Sequence, residues 1–231
     1  SARALTTLQK SLGLPQTGVI DQASYQALKA FIDLRYVRTN DIVQAALSAS
    51  IPPSMLLAIS EKESTGAGFL MDGTPTILFE RTKFYEFVRN SLGFQQAQKW
   101  KTEFPDLCHT VWDKRYYKGG RGEWERLGRA RRLNATCALL ACSWGRWQVM
   151  GFNFNVCGYA DVQTFVDDMH LSEHKQLQAV VNFIVNQPRL FAGMRARNFQ
   201  TVARIYNGVA FAKNNYDTDL QKLEAGFRQY N

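Results

Sequence analysis

A chain of 231 residues is long enough for one sizeable domain with a small appendage, and too short for two full domains. Its residues are 45% hydrophobic and 21% charged, which is typical of a folded globular protein, and no run approaches the ~18 apolar residues of a membrane span. The net charge of +8 favours a polyanionic partner such as nucleic acid, anionic lipid or an acidic cell envelope.

The first residues predict two short helices around a turn. Leu5, Leu8 and Leu12 form a helical stripe, and Asp21 is expected to cap the second helix. The apolar stripe of that second helix comprises Tyr25, Leu28 and Phe31. Two such helices are too small to hold a strong core alone.

The run LTTLQKSLGLPQTGVIDQASYQALKAF resembles the peptidoglycan-binding module that accompanies many wall hydrolases. The matching positions are Leu8, Gln9, Leu12, Gly13, Gly18, Asp21, Ser24, Leu28 and Phe31, while Thr17 stands where that family often has Asp. The resemblance implies a short or partial wall-binding module over residues 1–35. Because the pattern breaks before Asp41, the main domain is expected over residues 41–231.

The main domain opens with a candidate catalytic acid. Asp41 is expected to cap a helix through residue 47, and Pro52 and Pro53 to break it and start another. In that next helix the carboxyl of Glu63 projects from the face that Leu56 and Ile59 bury. Burial raises the pKa of a carboxyl group, and a glycosidase acid needs a proton that it holds near neutral pH.

Further elements follow in order. FLMDGTPTILFE predicts a β-hairpin with an Asp72-Gly73 turn, and a helix is expected from Arg81 through residue 88. Asn134 is expected to cap a helix running through Cys142 into the turn SWGRWQVMGFN. Two more helices are predicted, one beginning at Ser172 and one over residues 199–206 that ends at Asn207 and Gly208.

The positive charge is concentrated in residues 114–132, where Gly119, Gly120 and Gly122 predict a flexible loop before a helix. The basic residues there are Lys114, Arg115, Lys118, Arg121, Arg126, Arg129, Arg131 and Arg132. They face only Asp113, Glu123 and Glu125. A solvated helix face and a contact for an anionic polymer are both compatible with this pattern.

The four cysteines, Cys108, Cys137, Cys142 and Cys157, form no CxxC pair, and the three histidines lie apart from them. Cys137 and Cys142 lie five residues apart in a predicted helix, so they point to different faces and a bridge between them is not expected. We expect buried, inert thiols, and neither a metal ion nor a cofactor.

Three separated motifs occur in the order of a known superfamily: EKESTGAGF with Glu63, SWGRWQVMGFN with Gln148, and IYNG with Tyr206 and Asn207. This order resembles the lysozyme-like superfamily, and the segments EKESTGAGFLMDGTPTILFERTKFY and SWGRWQVMGFN look like the phage endolysin N-acetylmuramidases. The resemblance implies a mainly α, lysozyme-like domain with a small β-hairpin, preceded by the helical wall-binding module.

The resemblance also implies roles for individual residues. Glu63 would be the general acid toward the β-1,4 bond between N-acetylmuramic acid and N-acetylglucosamine. Ser143 and Gln148 would bind the substrate, and Tyr206 and Asn207 would stand across from Glu63.

A second carboxylate is harder to assign. Glu80, at the end of the predicted hairpin, is preferred over Asp72, because Asp-Gly is a common turn signal and explains Asp72 without chemistry. Asp72 is retained as a substrate-binding candidate. If neither carboxylate serves, the 6-hydroxyl of the substrate can attack, and the enzyme would be a lytic transglycosylase that gives 1,6-anhydro products.

Two other functions agree less well with the sequence. A virion protein that binds the wall without cutting it would have no need of an acid on an apolar helix face. A nucleic-acid binder lacks any helix-turn-helix, zinc or stacking motif in this sequence. We expect a monomer without a transmembrane segment, made in the host cytoplasm and released through a holin to peptidoglycan in the periplasm, where residues 114–132 would attract it to the anionic envelope.

Overall fold

The computed structural model describes residues 2–64, 67–208 and 211–231 and confirms the mainly α fold. The helices are α1 (Ala2–Ser11), α2 (Gln22–Arg35), α3 (Thr39–Ser48), α4 (Pro53–Ser64), α5 (Arg81–Leu92), α6 (Phe94–Glu103), α7 (Gly120–Leu133), α8 (Ala135–Leu140), α9 (Val162–Leu171), α10 (Glu173–Val185), α11 (Pro188–Arg195), α12 (Phe199–Tyr206) and α13 (Tyr216–Phe227). The strands are β1 (Ile77–Phe79), β2 (Cys142–Trp144) and β3 (Val149–Met150). Among the described residues, we find no helix with the length and apolar character needed to cross a membrane.

A buried amide joins the two N-terminal helices. The Gln9 side chain donates to Thr17 Oγ1 at 2.8 Å and to Ser24 Oγ at 2.9 Å, and its oxygen accepts from Gly18 N at 2.9 Å. Asp21 caps α2 as predicted. Of the predicted apolar stripe of α2, Tyr25 is exposed, Leu28 is half-buried, and the side chain of Phe31 lies outside the described part.

The end of α2 fastens this helix pair to the main body. The Arg35 guanidinium lies 4.1 Å from the centroid of the Phe69 ring and donates to Gly73 O at 2.5 Å. The ring of Tyr36 meets the edge of Phe69 at 5.9 Å. The predicted boundary after residue 35 therefore falls where the helix pair contacts the main domain.

Local signals located most helices correctly. Pro53 begins α4, Asn134 and Ser172 cap α8 and α10, and α12 spans residues 199–206 as predicted. The prediction for Asp41 was wrong in detail: Arg38 is the N-cap of α3, and the Asp41 carboxylate accepts from Arg38 N at 2.7 Å. Asp41, the third residue of α3, thus stabilises the first turn of the helix by accepting the N–H of the N-cap residue.

The sheet differs from the predicted hairpin. Residues 69–75 form a turn with one isolated bridge between Phe69 and Pro75, while β1 pairs antiparallel with β2, which pairs with β3. The predicted helix through Cys142 ends at Leu140, because Ala141 O accepts from Glu80 N at 2.9 Å and the chain enters the sheet. A continuous apolar run does not distinguish a buried strand from a buried helix.

Buried aromatic residues form the core around this sheet, with Phe79, Phe84, Trp144 and Trp147 at most 1% exposed. The four cysteines are buried free thiols, as predicted. Burial raises the pKa of Cys108 and Cys157 to about 12, so both remain protonated near neutral pH.

Helix α7 covers the outer edge of β1 with an ion pair. The Glu123 carboxylate accepts from Phe79 N at 3.1 Å, and the Arg126 guanidinium donates to Phe79 O at 3.0 Å and to Glu123 at 2.7 Å. The two side chains are 0% and 4% exposed. Arg126 is therefore a structural residue and not a solvated one, and Gly120 and Gly122 lie in the helix and not in a loop.

Arg126→Gln is expected to lower the free energy of unfolding by about 3–5 kcal/mol, because it leaves the buried Glu123 carboxylate without its counter-charge. Urea denaturation followed by circular dichroism measures the loss. Arg132→Gln, on the exposed face of the same helix, is the matched control and should change stability by less than about 0.5 kcal/mol. Equal stabilities of the two variants would contradict this account of α7.

Candidate active site

Glu63 lies in the last turn of α4, behind the fully buried Leu56 and Ile59. The Tyr216 hydroxyl donates a hydrogen bond to Glu63 Oε1. Desolvation by burial raises the pKa of Glu63 to about 7, against the smaller lowering effects of the Tyr216 hydrogen bond and the nearby Lys62 charge. A carboxyl in this state holds a proton near neutral pH and can deliver it to a basic oxygen.

Tyr216 reaches Glu63 because α13 packs along α4. The buried Glu224 carboxylate near the far end of α13 accepts from Ser54 Oγ at 2.8 Å, from Arg197 Nε at 2.8 Å and from Arg228 Nε at 3.0 Å. Nearer to Glu63, Lys62 pairs with Asp219 at 2.7 Å. These polar contacts at both ends fix the register of α13 on α4. Sequence reasoning missed Tyr216, because only the packing of a distant helix brings it to the acid.

A cleft of about 500 Å³ lies beside this pair. It is lined by Glu80, Thr82, Lys83, Met150, Phe152, Asn153, Phe183, Gln187, Ile205, Tyr206, Asn207 and Gly208. Burial raises the pKa of Tyr206 well above its usual value, and the Glu63 charge adds to that shift, so the acid lies near a residue that lines the cleft. The Tyr206 hydroxyl donates to Trp147 O at 2.8 Å. The structure therefore brings Glu80, Tyr206 and Asn207 to one cleft, and Glu63 lies near enough to Tyr206 to act on its pKa.

Glu80 lines the cleft and lies between the end of β1 and the start of α5. It directly follows Phe79, whose backbone groups are hydrogen-bonded by Glu123 and Arg126 of α7. Its carboxylate accepts a hydrogen bond from the Tyr117 hydroxyl. Burial raises the pKa of Glu80, while that hydrogen bond and the Arg126 charge act to lower it. Tyr117 was not singled out in the sequence, where it belongs to the basic stretch.

The Asp72 carboxylate takes part in hydrogen bonds within its own turn. Its carboxylate accepts from Thr74 N at 2.9 Å and from Thr74 Oγ1 at 2.6 Å, and it pairs with Arg121. These hydrogen bonds, with Thr74 first, lower the pKa of Asp72 to about 2. The side chain thus stays ionised and is used in stabilising the turn, and it is not among the residues that line the cleft.

Ser143 and Gln148 support the β2–β3 turn. The Gln148 amide donates to Gly145 O at 2.8 Å and to Thr76 O at 3.3 Å, and its oxygen accepts from Ser143 Oγ at 2.7 Å. Gln148 has a positive φ of 48°, and these bonds hold it there. In this arrangement both side chains brace the wall of the site, and neither lines the cleft.

A buried polar network beneath the acid was also missed. Arg146 donates to Ser60 Oγ on α4 at 2.8 Å and to Glu173 at 3.2 Å, while the Glu173 carboxylate accepts from Gly68 N at 2.7 Å and from Val37 N at 3.1 Å. Glu173 is only 2% exposed. The network joins α4, α10 and the β2–β3 turn, and nothing local in the sequence indicates that these positions meet.

Comparison with known proteins fixes the family. The family model of the N-acetylmuramidases matches residues 52–230, which is most of the chain. The chain belongs to the N-acetylmuramidase family. The predicted family is thereby confirmed, and the protein is a peptidoglycan hydrolase, a glycoside hydrolase of the lysozyme type.

A solved structure agrees with this assignment. The endolysin of Burkholderia phage AP3 is 33% identical to this muramidase, with a TM-score of 0.74, and the match covers 99% of this chain and 86% of that one. No curated protein matches the sequence. The muramidase family model begins at residue 52, at the start of α4, so the helix that carries Glu63 lies within it.

Tyr216→Phe is expected to raise the pKa of Glu63 above its value of about 7, because the hydroxyl that stabilises the carboxylate is lost while the desolvation remains. An NMR titration of ¹³C-labelled glutamate carboxyls measures this shift. Tyr159→Phe, which removes a tyrosine hydroxyl from Asp168 elsewhere, is the matched control and should leave the Glu63 titration unchanged. A lower or unchanged pKa in Tyr216→Phe would show that the hydrogen bond does not act on Glu63.

Proposed function

We propose that this muramidase hydrolyses the β-1,4 bond between N-acetylmuramic acid and N-acetylglucosamine, with Glu63 as the general acid. The observation that carries the proposal is a desolvated carboxyl with a pKa of about 7 near a cleft of about 500 Å³. At a pKa of about 7, about half of the Glu63 carboxyls carry a proton at neutral pH, and they can give it to the leaving glycosidic oxygen. Tyr206 and Asn207, on the cleft wall next to the acid, would contact the sugar.

Glu63→Gln is expected to lower the rate of sacculus hydrolysis by at least about 10²-fold, because the amide fills the same space and has no proton to donate. Turbidity loss of sacculi and mass spectrometry of the released fragments measure the rate and the products. Glu61→Gln, on the exposed side of the same helix, is the matched control and should keep wild-type activity. Activity of Glu63→Gln above about a tenth of wild type would remove Glu63 from the mechanism.

For the second carboxylate we propose Glu80, which lines the same cleft as Tyr206 and Asn207. As a base or nucleophile Glu80 must be ionised, and its raised pKa sets a lower pH limit for activity. Glu63 must be protonated, and its pKa of about 7 sets the upper limit. The pH profile of kcat/KM should therefore be bell-shaped.

Glu80→Gln is expected to abolish the acid limb of that profile and to lower kcat by at least about 10²-fold. Glu86→Gln, on the exposed face of α5, serves as the control. NMR of the first-formed product distinguishes retention, which needs carboxyls about 5 Å apart, from inversion, which needs about 6.5–9.5 Å. Near-normal rates in Glu80→Gln with 1,6-anhydro products would assign a lytic transglycosylase, in which the 6-hydroxyl of the substrate attacks.

Retention on the wall is proposed to use two parts of the chain: the module of residues 1–35 and the exposed cations of residues 114–132. Lys114, Lys118, Arg131 and Arg132 are exposed, whereas Arg115, Arg121 and Arg129 pair with Asp113, Asp72 and Asp106. The buried Arg126 contributes nothing to this surface. The attraction therefore rests on fewer charges than the sequence indicates.

Two variants, each made in the Glu63→Gln background, test these contributions in sacculus pull-down assays. Replacing Lys114, Arg131 and Arg132 by Gln should weaken binding at about 0.01 M salt and have little effect at about 0.15 M, where screening acts over about 8 Å. A chain of residues 35–231, which keeps Arg35 on Gly73, should bind more weakly at both salt concentrations.

The control removes the same charge elsewhere, by Gln at the exposed Arg89, Lys99 and Lys222. If this control weakens binding as much as the first variant, attraction follows net charge alone. If the truncated chain is unfolded by circular dichroism, residues 1–34 are part of the main core and not a separate module.

The biological setting follows as a proposal. The likeness to a phage endolysin supports an enzyme that acts on the peptidoglycan of a host cell from within. It would be made in the host cytoplasm as a monomer and reach the periplasm through a holin. A protein that only binds the wall would not explain the protonated carboxyl at the cleft, and the activity of wild type against Glu63→Gln separates the two.

A further inference from the structure

A second, smaller cavity of about 270 Å³ adjoins the cleft. It is lined by Arg189, Asn198, Gln200, Thr201, Arg204 and Ile205. Ile205 also lines the cleft, so one side chain forms the boundary between the two cavities. The mechanism above uses none of the other five residues.

The positions of these residues follow from two helix starts. Gln187, the N-cap of α11, lines the cleft, and Arg189 stands in the first turn of that helix. On α12, Thr201, Arg204 and Ile205 share one face at spacings of three and four. Because Ile205 belongs to the lining of both, the small cavity adjoins the cleft along α12.

Its charge is positive. Arg189 and Arg204 are both exposed at the surface, and no Asp or Glu is among the described residues that line the cavity. The cavity also includes the first turn of α12, where Asn198 accepts from Thr201 N at 3.0 Å and the helix dipole adds partial positive charge. Two guanidinium groups at such a position suit a carboxylate, whose two oxygens match the guanidinium fork.

We propose that this cavity binds a carboxylate of the peptide stem carried by N-acetylmuramic acid, which makes the enzyme selective for stem-bearing glycan strands. The inference rests on the proposed function, because it takes the cleft as the site of the glycan. The N-acetylated sugars of the strand are neutral, so the acidic groups near the scissile bond belong to the stem. An extended peptide advances about 3.5 Å per residue, so a stem carboxylate two residues from the sugar can reach an adjoining cavity.

The test compares two forms of soluble glycan strand of matched length: strands that keep their stems, and strands stripped of them by an amidase, in which the lactyl carboxyls thus exposed are then converted to neutral amides. Wild type should have a lower KM on the stem-bearing strands. Arg189→Gln with Arg204→Gln should raise KM on those strands about three- to tenfold, as expected for the loss of two solvent-exposed charge contacts, and should leave kinetics on stripped strands unchanged. The control is Arg89→Gln with Lys99→Gln, which removes the same two charges away from the cavity.

A binding measurement separates this inference from the proposed chemistry. Titration calorimetry in the Glu63→Gln background should show tighter binding of stem-bearing strands, and this preference should disappear when Arg189 and Arg204 are replaced. Equal binding of the two strands by the parent, or an equal loss on both strands in the double variant, overturns the stem site. Absence of muramic acid reducing ends in wild-type digests overturns the proposed function and leaves the binding preference to be judged by itself.

Discussion

The desolvation of Glu63, whose hydrogen-bond partner among the described residues is the Tyr216 hydroxyl, is the constraint around which this muramidase is built. Taking Glu63 out of water favours its protonated form, and the opposing influences of Tyr216 and Lys62 are smaller. To bury it, the chain must bring α13, from near its end, against α4, from its first third. The strength of the acid is therefore set by tertiary packing, and any change that loosens α13 alters the acid as well as the stability of the fold.

Three other buried carboxylates hold the frame of the site, and each is satisfied differently from Glu63. Glu123, Glu173 and Glu224 all pair with arginine. Glu123 and Glu173 also accept hydrogen bonds from backbone N–H groups, which completes the partners that a buried charge needs. The contrast explains how one fold can hold three buried carboxyls in ion pairs with arginine while another carboxyl, that of Glu63, has a raised pKa.

The sequence predicted those features that depend on residues close to one another along the chain. Asp21, Asn134 and Ser172 were identified as helix caps because capping acts over three residues, and Glu63 was identified because its helix face is visible in the apolar spacing. The pairing of β1 with β2 was not predicted, since the two strands are distant in sequence and Cys142 lies in a uniformly apolar run. The contacts of Tyr216 and Arg146 were not predicted for the same reason, because their partners are distant in sequence. Arg126 shows a further limit, because a basic residue in a basic stretch gives no sign that it is buried.

The contacts of α7 with β1 have a consequence for association between molecules. Glu80 N donates to Ala141 O and Gly145 N donates to Thr76 O, so residues 76 and 80 face β2 while Pro75 and Phe79 turn their polar groups outward. Trp124 donates to Pro75 O at 2.9 Å, and Glu123 and Arg126 take both polar groups of Phe79. A strand from another molecule would find Pro75 O and both polar groups of Phe79 already hydrogen-bonded. The side chains of one helix thus act as a terminal strand and protect the sheet against edge-to-edge aggregation.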